Sequence, residues 1–392
     1  MFKNSGKTHD KPILWGAPCS FYSGKTRSYF IKKGIDYQEL FGSHPRYEQE
    51  ILPLIGYLVV PVVELTDGTL IQDTTDTILH FEEKVPEPAL IPKTHVQRAV
   101  AWLIGFFGSE ALLKPGMHYR WSYLDEQRPF LEAAFGRALS GHRDMKKQRE
   151  QVAPVMEYFD GFLKNLGVTP ETIPVVEASY EDLLNLLNDH FLHYPYILGG
   201  RPSLADFGLV APLFAHLARD PYPSMLMKNR APHVFRWTER MNQAGFKDGE
   251  FPDLAPDFLP NDELPETLGP ILRYFFTDCG PEIMGMIASY NAWNETHPAL
   301  PSGAVIQSDQ DAPTAHPSLG WFDFELRGVL IHRRDYVDAV YHFQRVLDVV
   351  AALDGEGRAR FGEIVDRAGG RELLAARLVR RIKSENYRFV LE

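Results

Sequence analysis

Short runs of apolar residues, rather than helical periods, open the chain. Residues 13–15 read as a buried strand, and the loop GAPCSFYSG leads into a helix over about 25–33 that stops at Gly34. Residues 37–41 form a second strand, and an apolar run over 51–60 ends at Pro61. Residues 62–65 and 70–72 are strands three and four, joined by Thr66-Asp67-Gly68-Thr69, because Asp-Gly supplies the positive φ that a tight hairpin needs. Asp73-Thr74-Thr75 then caps a helix reaching about residue 83. The order β-α-β, irregular link, β-β-α predicts a small α/β sheet with helices packed on it.

From residue 95 the spacing changes. Apolar residues recur every three or four positions over 96–113, 128–139, 151–166, 172–191, 203–218 and 233–241, which predicts an all-α domain. An acidic, proline-studded stretch, 246–266, reads as an exposed linker. Beyond it come a helix over 267–296, a proline-rich loop over 297–320, a hairpin around Arg327-Gly328 and helices from Tyr336 onward. The stripe Val337, Val340, Phe343, Val346, Leu347 and Val350 must pack on something, and the helical domain is the expected partner. The basic tail 371–388 reads as a helix with one face on a core. The expected divisions are 1–90, 91–245 and 246–392.

Composition narrows the function classes. Across 392 residues the net charge is −11, which argues against a nucleic-acid binder. Two cysteines, Cys19 and Cys279, exclude a disulfide scaffold and suit a reducing, cytoplasmic compartment. The apolar runs 54–63 and 99–107 are too short for a membrane span. Gly24-Lys25-Thr26 invites a phosphate-loop reading, but Cys19 stands where that motif needs its first glycine. His190 and His193 sit three apart at a helix end with no third ligand in reach, so no metal site is read there. Ser203-Leu204-Ala205-Asp206 is a capping box, with Asp206 reaching back to the Ser203 amide.

Four segments in order carry a resemblance. YILGGRPSLADFGLVAPLFAH resembles the capping-box segment of the helical domain of cytosolic glutathione transferases. APCSFYSGKTRSYFIKKGIDYQE is similar to that superfamily's first loop and helix. VVPVVE followed by DGTLIQDTT resembles its cis-proline strand, hairpin and acidic cap, and HVFRWTERM its late helix. The resemblance covers about 13–243 and leaves 246–392 as an atypical extension. It implies a thioredoxin-like α/β domain, an all-α transferase domain and a mostly α extension with a short β-hairpin.

The resemblance also implies a chemistry. A thiolate is the nucleophile, and a hydroxyl donor at a helix N-terminus stabilises it. Aligning Lys25 and Arg27 places Ser20 at the catalytic serine, with Cys19 and Tyr22 as competitors; Phe21 stands where proline is usual. Val60, Pro61, Asp73 and Thr74 stand where glutathione's cysteinyl and γ-glutamyl parts are held, while Val59 replaces the usual lysine. Phe21, Tyr119, Trp121 and Tyr123 are the expected aromatic wall for a hydrophobic co-substrate. The implied function is conjugation of glutathione to a hydrophobic electrophile by a homodimer. The alternatives are glutathione-dependent reduction or deglutathionylation through Cys19, and a non-catalytic binding module.

Overall fold

The structure is a computed structural model that describes residues 3–307 and 314–392. Its first unit runs β1 (Ile13–Gly16), α1 (Phe21–Lys33), β2 (Gln38–Phe41), α2 (Leu52–Ile55), β3 (Val62–Glu64), β4 (Leu70–Ile71) and α3 (Thr74–Lys84). The strand order is β2-β1-β3-β4, with β1 parallel to β2 and antiparallel to β3. This is the thioredoxin-like arrangement. All four residues of β1 are buried, as a central strand requires. Helix α1 starts at Phe21, earlier than the apolar spacing suggests, because Ser20 accepts the Ser23 amide and caps it. Gly68, at φ +82°, makes the expected turn between β3 and β4.

The helical unit holds α4 (His95–Phe106), α5 (Leu113–Trp121), α6 (Leu124–Leu139), α7 (Met145–Gly161), α8 (Ile173–His193), α9 (Leu204–Pro212), α10 (Pro221–Arg230) and α11 (Pro232–Met241). The capping box at Ser203 and Asp206 is present at the start of α9. Asp206 also accepts the Ile197 amide and the Trp237 indole N–H, so one carboxylate ties a turn and two helices together. Helices α4 and α9 cross at Gly105 and Gly208, where a Cβ on Gly208 would lie 2.1 Å from the Gly105 carbonyl oxygen. Helix α10 escapes the periodicity reading because its prolines and polar residues hide the stripe.

The remainder comprises α12 (Leu268–Tyr274), α13 (Gly280–Thr296), the antiparallel pair β5 (Trp321–Leu326) and β6 (Val329–Arg334), α14 (Val337–Ala351), α15 (Gly355–Ala368), α16 (Arg371–Ala375) and the antiparallel pair β7 (Ile382–Glu385) and β8 (Arg388–Leu391). The long helix expected over 267–296 is interrupted by a π-helical turn, Phe275–Cys279. The tail is a second correction. Only its first residues are helical; the rest is a hairpin turning at Asn386 and Tyr387, both at positive φ. No glycine marks that turn, which is why the pattern hid it. The loop over 297–320 is tied down at Gly303 and Ile306 by bonds to β8, and its residues 308–313 lie outside the described residues.

Helices α14 and α15 pack on α4, with the Phe106 and Phe343 rings 5.1 Å apart. The Gln344 side chain exchanges two hydrogen bonds with the backbone of Ile382, fastening α14 to β7. At the hairpin tip the Tyr387 hydroxyl accepts from the Lys3 amide and donates to the Leu70 carbonyl, so the extension grips the edge strand β4. No helix of the described residues is long and apolar enough to cross a membrane.

The acidic stretch 246–266 is mostly exposed but is not a free linker. Asp248 pairs with Arg236 and Arg240, and Leu259 donates its amide to Leu198. Asp262 accepts the backbone amides of Val96 (2.9 Å) and Gln97 (2.8 Å). It therefore caps α4 from a remote part of the chain, while the neighbouring Thr94 makes no side-chain cap bond. Asp262→Ala is expected to cost about 1–2 kcal/mol, with Asp262→Asn, which keeps only one of the two acceptor oxygens, falling between it and wild type. Denaturant midpoints of the three proteins check this.

Candidate functional site

The start of α1, the loop before β3 and the start of α3 meet on one side of the sheet. Ser20 is half-buried; its Oγ accepts the Ser23 amide at 3.2 Å and lies 3.5 Å from the Val60 carbonyl oxygen. The Val60–Pro61 bond is cis. Arg27 holds this loop in place through Glu39 (2.9 Å from Nε) and the Ala17 carbonyl (3.3 Å). The structure thus brings together Ser20, Val60 and Pro61.

Cys19 is buried in an apolar cluster that Val60 borders. It is 5% exposed, packs with Ala17, Met117 and Trp121, and gives its carbonyl to Arg120 at 2.8 Å. Arg120 in turn forks onto Asp220 at 2.6 and 2.9 Å. Burial pushes the Cys19 thiol up despite the opposing charges of Arg120 and Arg219. A buried, protonated thiol is a poor nucleophile. Tyr22 is held protonated in the same way, and its hydroxyl already points at the Ser109 carbonyl (3.5 Å). Burial, with Glu110 and Asp338 alongside, drives its hydroxyl far above the ordinary tyrosine range.

Asp73 caps α3, accepting the Asp76 amide at 2.7 Å, and Thr74 is buried in the first turn. Two side chains of α14, one of them a permanent cation, cover this corner. Arg345 lies 3.4 Å from Asp73 and 2.9 Å from Asp76, and His342 lies 3.4 Å from Asp73. Beneath them Lys25 donates to Thr75 (3.1 Å) and Ser109 (3.2 Å). His316 bonds Asp338 at 2.7 Å, and its ring lies 6.1 Å from that of Tyr22 in a stacked pose. The cavity left among Lys25, Thr75, Ser109, Glu110 and His342 holds about 20 Å³. That is room for one water, whereas small-molecule sites hold roughly 300 Å³ or more.

Burial and the paired cations shape the titration of this corner. Asp73 stays below the usual carboxylate range although burial opposes it, because His342, Arg345 and Lys25 surround it. Burial and the Asp73 charge push Asp76 up to about 6. Burial and Asp338 push Glu110 up to about 8, against Lys25 and His316. Burial holds His342 down at about 4, so its contact with Asp73 is a hydrogen-bond-range contact of a neutral ring at pH 7. Asp338 raises His316 in spite of burial.

The four aromatics expected to share a pocket are divided. Phe21 is buried against Tyr22 and His216, and Trp121 against Phe135 and Phe159. Tyr119 and Tyr123 line an open groove of about 460 Å³ with Tyr222, between α5, α6, α8 and α10. His190 bonds the Thr267 hydroxyl and the Tyr196 carbonyl. Glu110, His316, Asp338, His342 and Arg345 are the site residues that sequence reasoning missed. The spacing of 338, 342 and 345 was a signal: it sets three charged or titratable groups on one face of α14, beside the apolar stripe.

Models of the glutathione S-transferase N-terminal and C-terminal domains match residues 14–89 and 170–240. A solved glutathione S-transferase from Rhodospirillum rubrum F11 is 17% identical, with a TM-score of 0.38 over 65% of this chain and 96% of its own. The β-etherase LigF from Sphingobium sp. strain SYK-6 is 17% identical, with a TM-score of 0.42 over 59% of this chain and 95% of its own. A maleylacetoacetate isomerase from Anaeromyxobacter dehalogenans 2CP-1, solved with bound dicarboxyethyl glutathione and citrate, is 21% identical, with a TM-score of 0.33 over 65% of this chain and 97% of its own. No curated protein matches the chain.

The covered corner makes a pH prediction. Glu110 keeps its proton in the folded protein up to about 8, where the unfolded chain would already have lost it near the ordinary value of 4.5. The folded state binds more protons across that window, so this residue's contribution to stability falls as pH rises from about 4.5 to 8. Lys32, lowered to about 7 by burial and Arg240, gives the opposite slope above that pH. The readout is therefore the difference between wild type and Glu110→Gln. Wild type is expected to lose on the order of 1 kcal/mol relative to Glu110→Gln between pH 5 and pH 8, as melting curves would record.

Proposed function

We propose, from the premise that this chain belongs to the glutathione transferase superfamily, that it works as a binding module of that fold with its thiol corner held shut by its own extension. The observation that carries this reading is the placement of Arg345 on Asp73 and Asp76. In the resemblance, Asp73 would receive the ammonium group of a γ-glutamyl ligand. Here a guanidinium from α14 fills that role, so the carboxylate is already paired within the chain.

Conjugation of glutathione to a hydrophobic electrophile is a second reading, favoured by Ser20 beside the cis Val60–Pro61 bond. It requires α14 to withdraw. Reduction through Cys19 has less support, since that thiol is buried and held protonated. We also read the chain as self-paired rather than homodimeric. The extension already joins α3 and α4 within one chain, the two kinds of domain surface that twofold pairing would join between chains.

Calorimetry tests the first reading against the second. The unmodified chain is expected to show no saturable binding of glutathione at millimolar concentration, and light scattering is expected to give the mass of one chain. Saturable binding, with conjugation that Ser20→Ala slows by roughly 10- to 1000-fold, would establish the conjugating enzyme instead. Cys19→Ala is expected to change neither measurement.

A further inference from the structure

The open groove between α5, α6, α8 and α10 is a different place from the shut corner, and its walls have a consistent chemistry. Its volume of about 460 Å³ lies within the range of small-molecule sites, roughly 300–1,000 Å³. Three tyrosines form one wall. Tyr123 and Tyr222 stack with ring centres 3.6 Å apart and planes 12° apart, and Tyr119 lies near-parallel at 5.9 and 6.4 Å from them. Glu126, Glu177 and Glu181 line the same space.

The charge balance at the groove is negative. Arg230 pairs with Glu181 at 2.8 Å. Glu177 accepts the Tyr123 hydroxyl at 2.5 Å and bonds His118 at 3.0 Å. Burial holds the His118 ring below its ordinary value, so it brings no charge at pH 7. No Lys or Arg is among the lining residues, and Glu126 has no ion-pair partner among the described residues. An anionic ligand is disfavoured on these grounds. A second observation points to an occupant. Tyr119 is 1% exposed overall and lines the groove, and no described residue bonds its hydroxyl, which leaves that group free for a ligand in the groove. Met225, Leu226 and Pro221 supply an apolar rim.

Tyrosine faces attract cations through their ring quadrupoles, and nearby carboxylates add Coulomb attraction. We propose that this groove binds a small organic cation, an alkyl- or arylammonium group, with the charge between the Tyr119–Tyr123–Tyr222 wall and Glu177, and the apolar part against Met225 and Leu226. The Tyr119 hydroxyl bonds a hydroxyl, an N–H or a bridging water of such a ligand. The site is independent of whether the α1–α3 corner is shut.

Choline and its neutral carbon isostere, 3,3-dimethyl-1-butanol, are matched probes that differ in charge. Titration of the full chain, followed by calorimetry or by ligand NMR, is expected to show saturable choline binding and at least ~10-fold weaker binding of the isostere. Tyr222→Ala removes a partly exposed ring, and Glu177→Gln keeps an acceptor for Tyr123. Each is expected to weaken choline about 5- to 10-fold with an unchanged melting temperature. Equal affinity for choline and the isostere, no saturation, or indifference to both substitutions would each overturn the proposal. Failure of the glutathione prediction leaves these readouts unaffected, so the two readings fall separately.

Discussion

Everything unusual about this molecule depends on the contact of Arg345 with Asp73 and Asp76. Without it, the start of α3 is an open helix N-terminus carrying two carboxylates, and α14 loses its charged hold on the small domain. An arginine suits this position because its planar fork can serve two carboxylates at once and stays charged when buried. Removing one partner from such a buried set costs about 3–5 kcal/mol, because the others remain charged and desolvated. The extension is thereby part of the small domain's own electrostatics, and the identity of the site follows from what α14 brings to it.

The small domain and the helical domain were largely legible in the sequence because their signals are local. The Asp-Gly turn, the capping box at Ser203 and the proline at 61 each announce themselves within a few residues. The same holds for Asp73, whose capping role needs only its neighbours. What hid was long-range. Asp73 and Arg345 are 272 positions apart, and no local pattern says that α14 will lie across α3. Helix α10 hid behind its prolines, and the last hairpin behind a turn at Asn386 and Tyr387 that lacks glycine.

Helix α14 also shows how one amphipathic segment can serve two surfaces. Val340 and Phe343 give it a dry side toward α4, as their spacing foretold. Asp338, His342 and Arg345 give it a polar side toward α1 and α3. A helix with one stripe would satisfy the helical unit alone. With two, it acts as a wedge between units, and the polar stripe decides which site it closes. The residues expected to act directly on substrate divide accordingly: Asp73 is held by Arg345 of the wedge, while Ser20 and Val60 face each other at the start of α1 and the loop before β3.

The separation of Asp73 from Arg345 also orders events in time. On a ribosome adding roughly 5–20 residues per second, the helix that closes the corner follows its target by about ten seconds to a minute. Throughout that interval the nascent small domain can complete its sheet, whose pairings all lie within β1 to β4. Its acidic corner then faces solvent, and any cation in the surrounding fluid competes for it before Arg345 arrives. Each newly made molecule therefore passes once through an uncovered form, whatever the finished protein does afterwards.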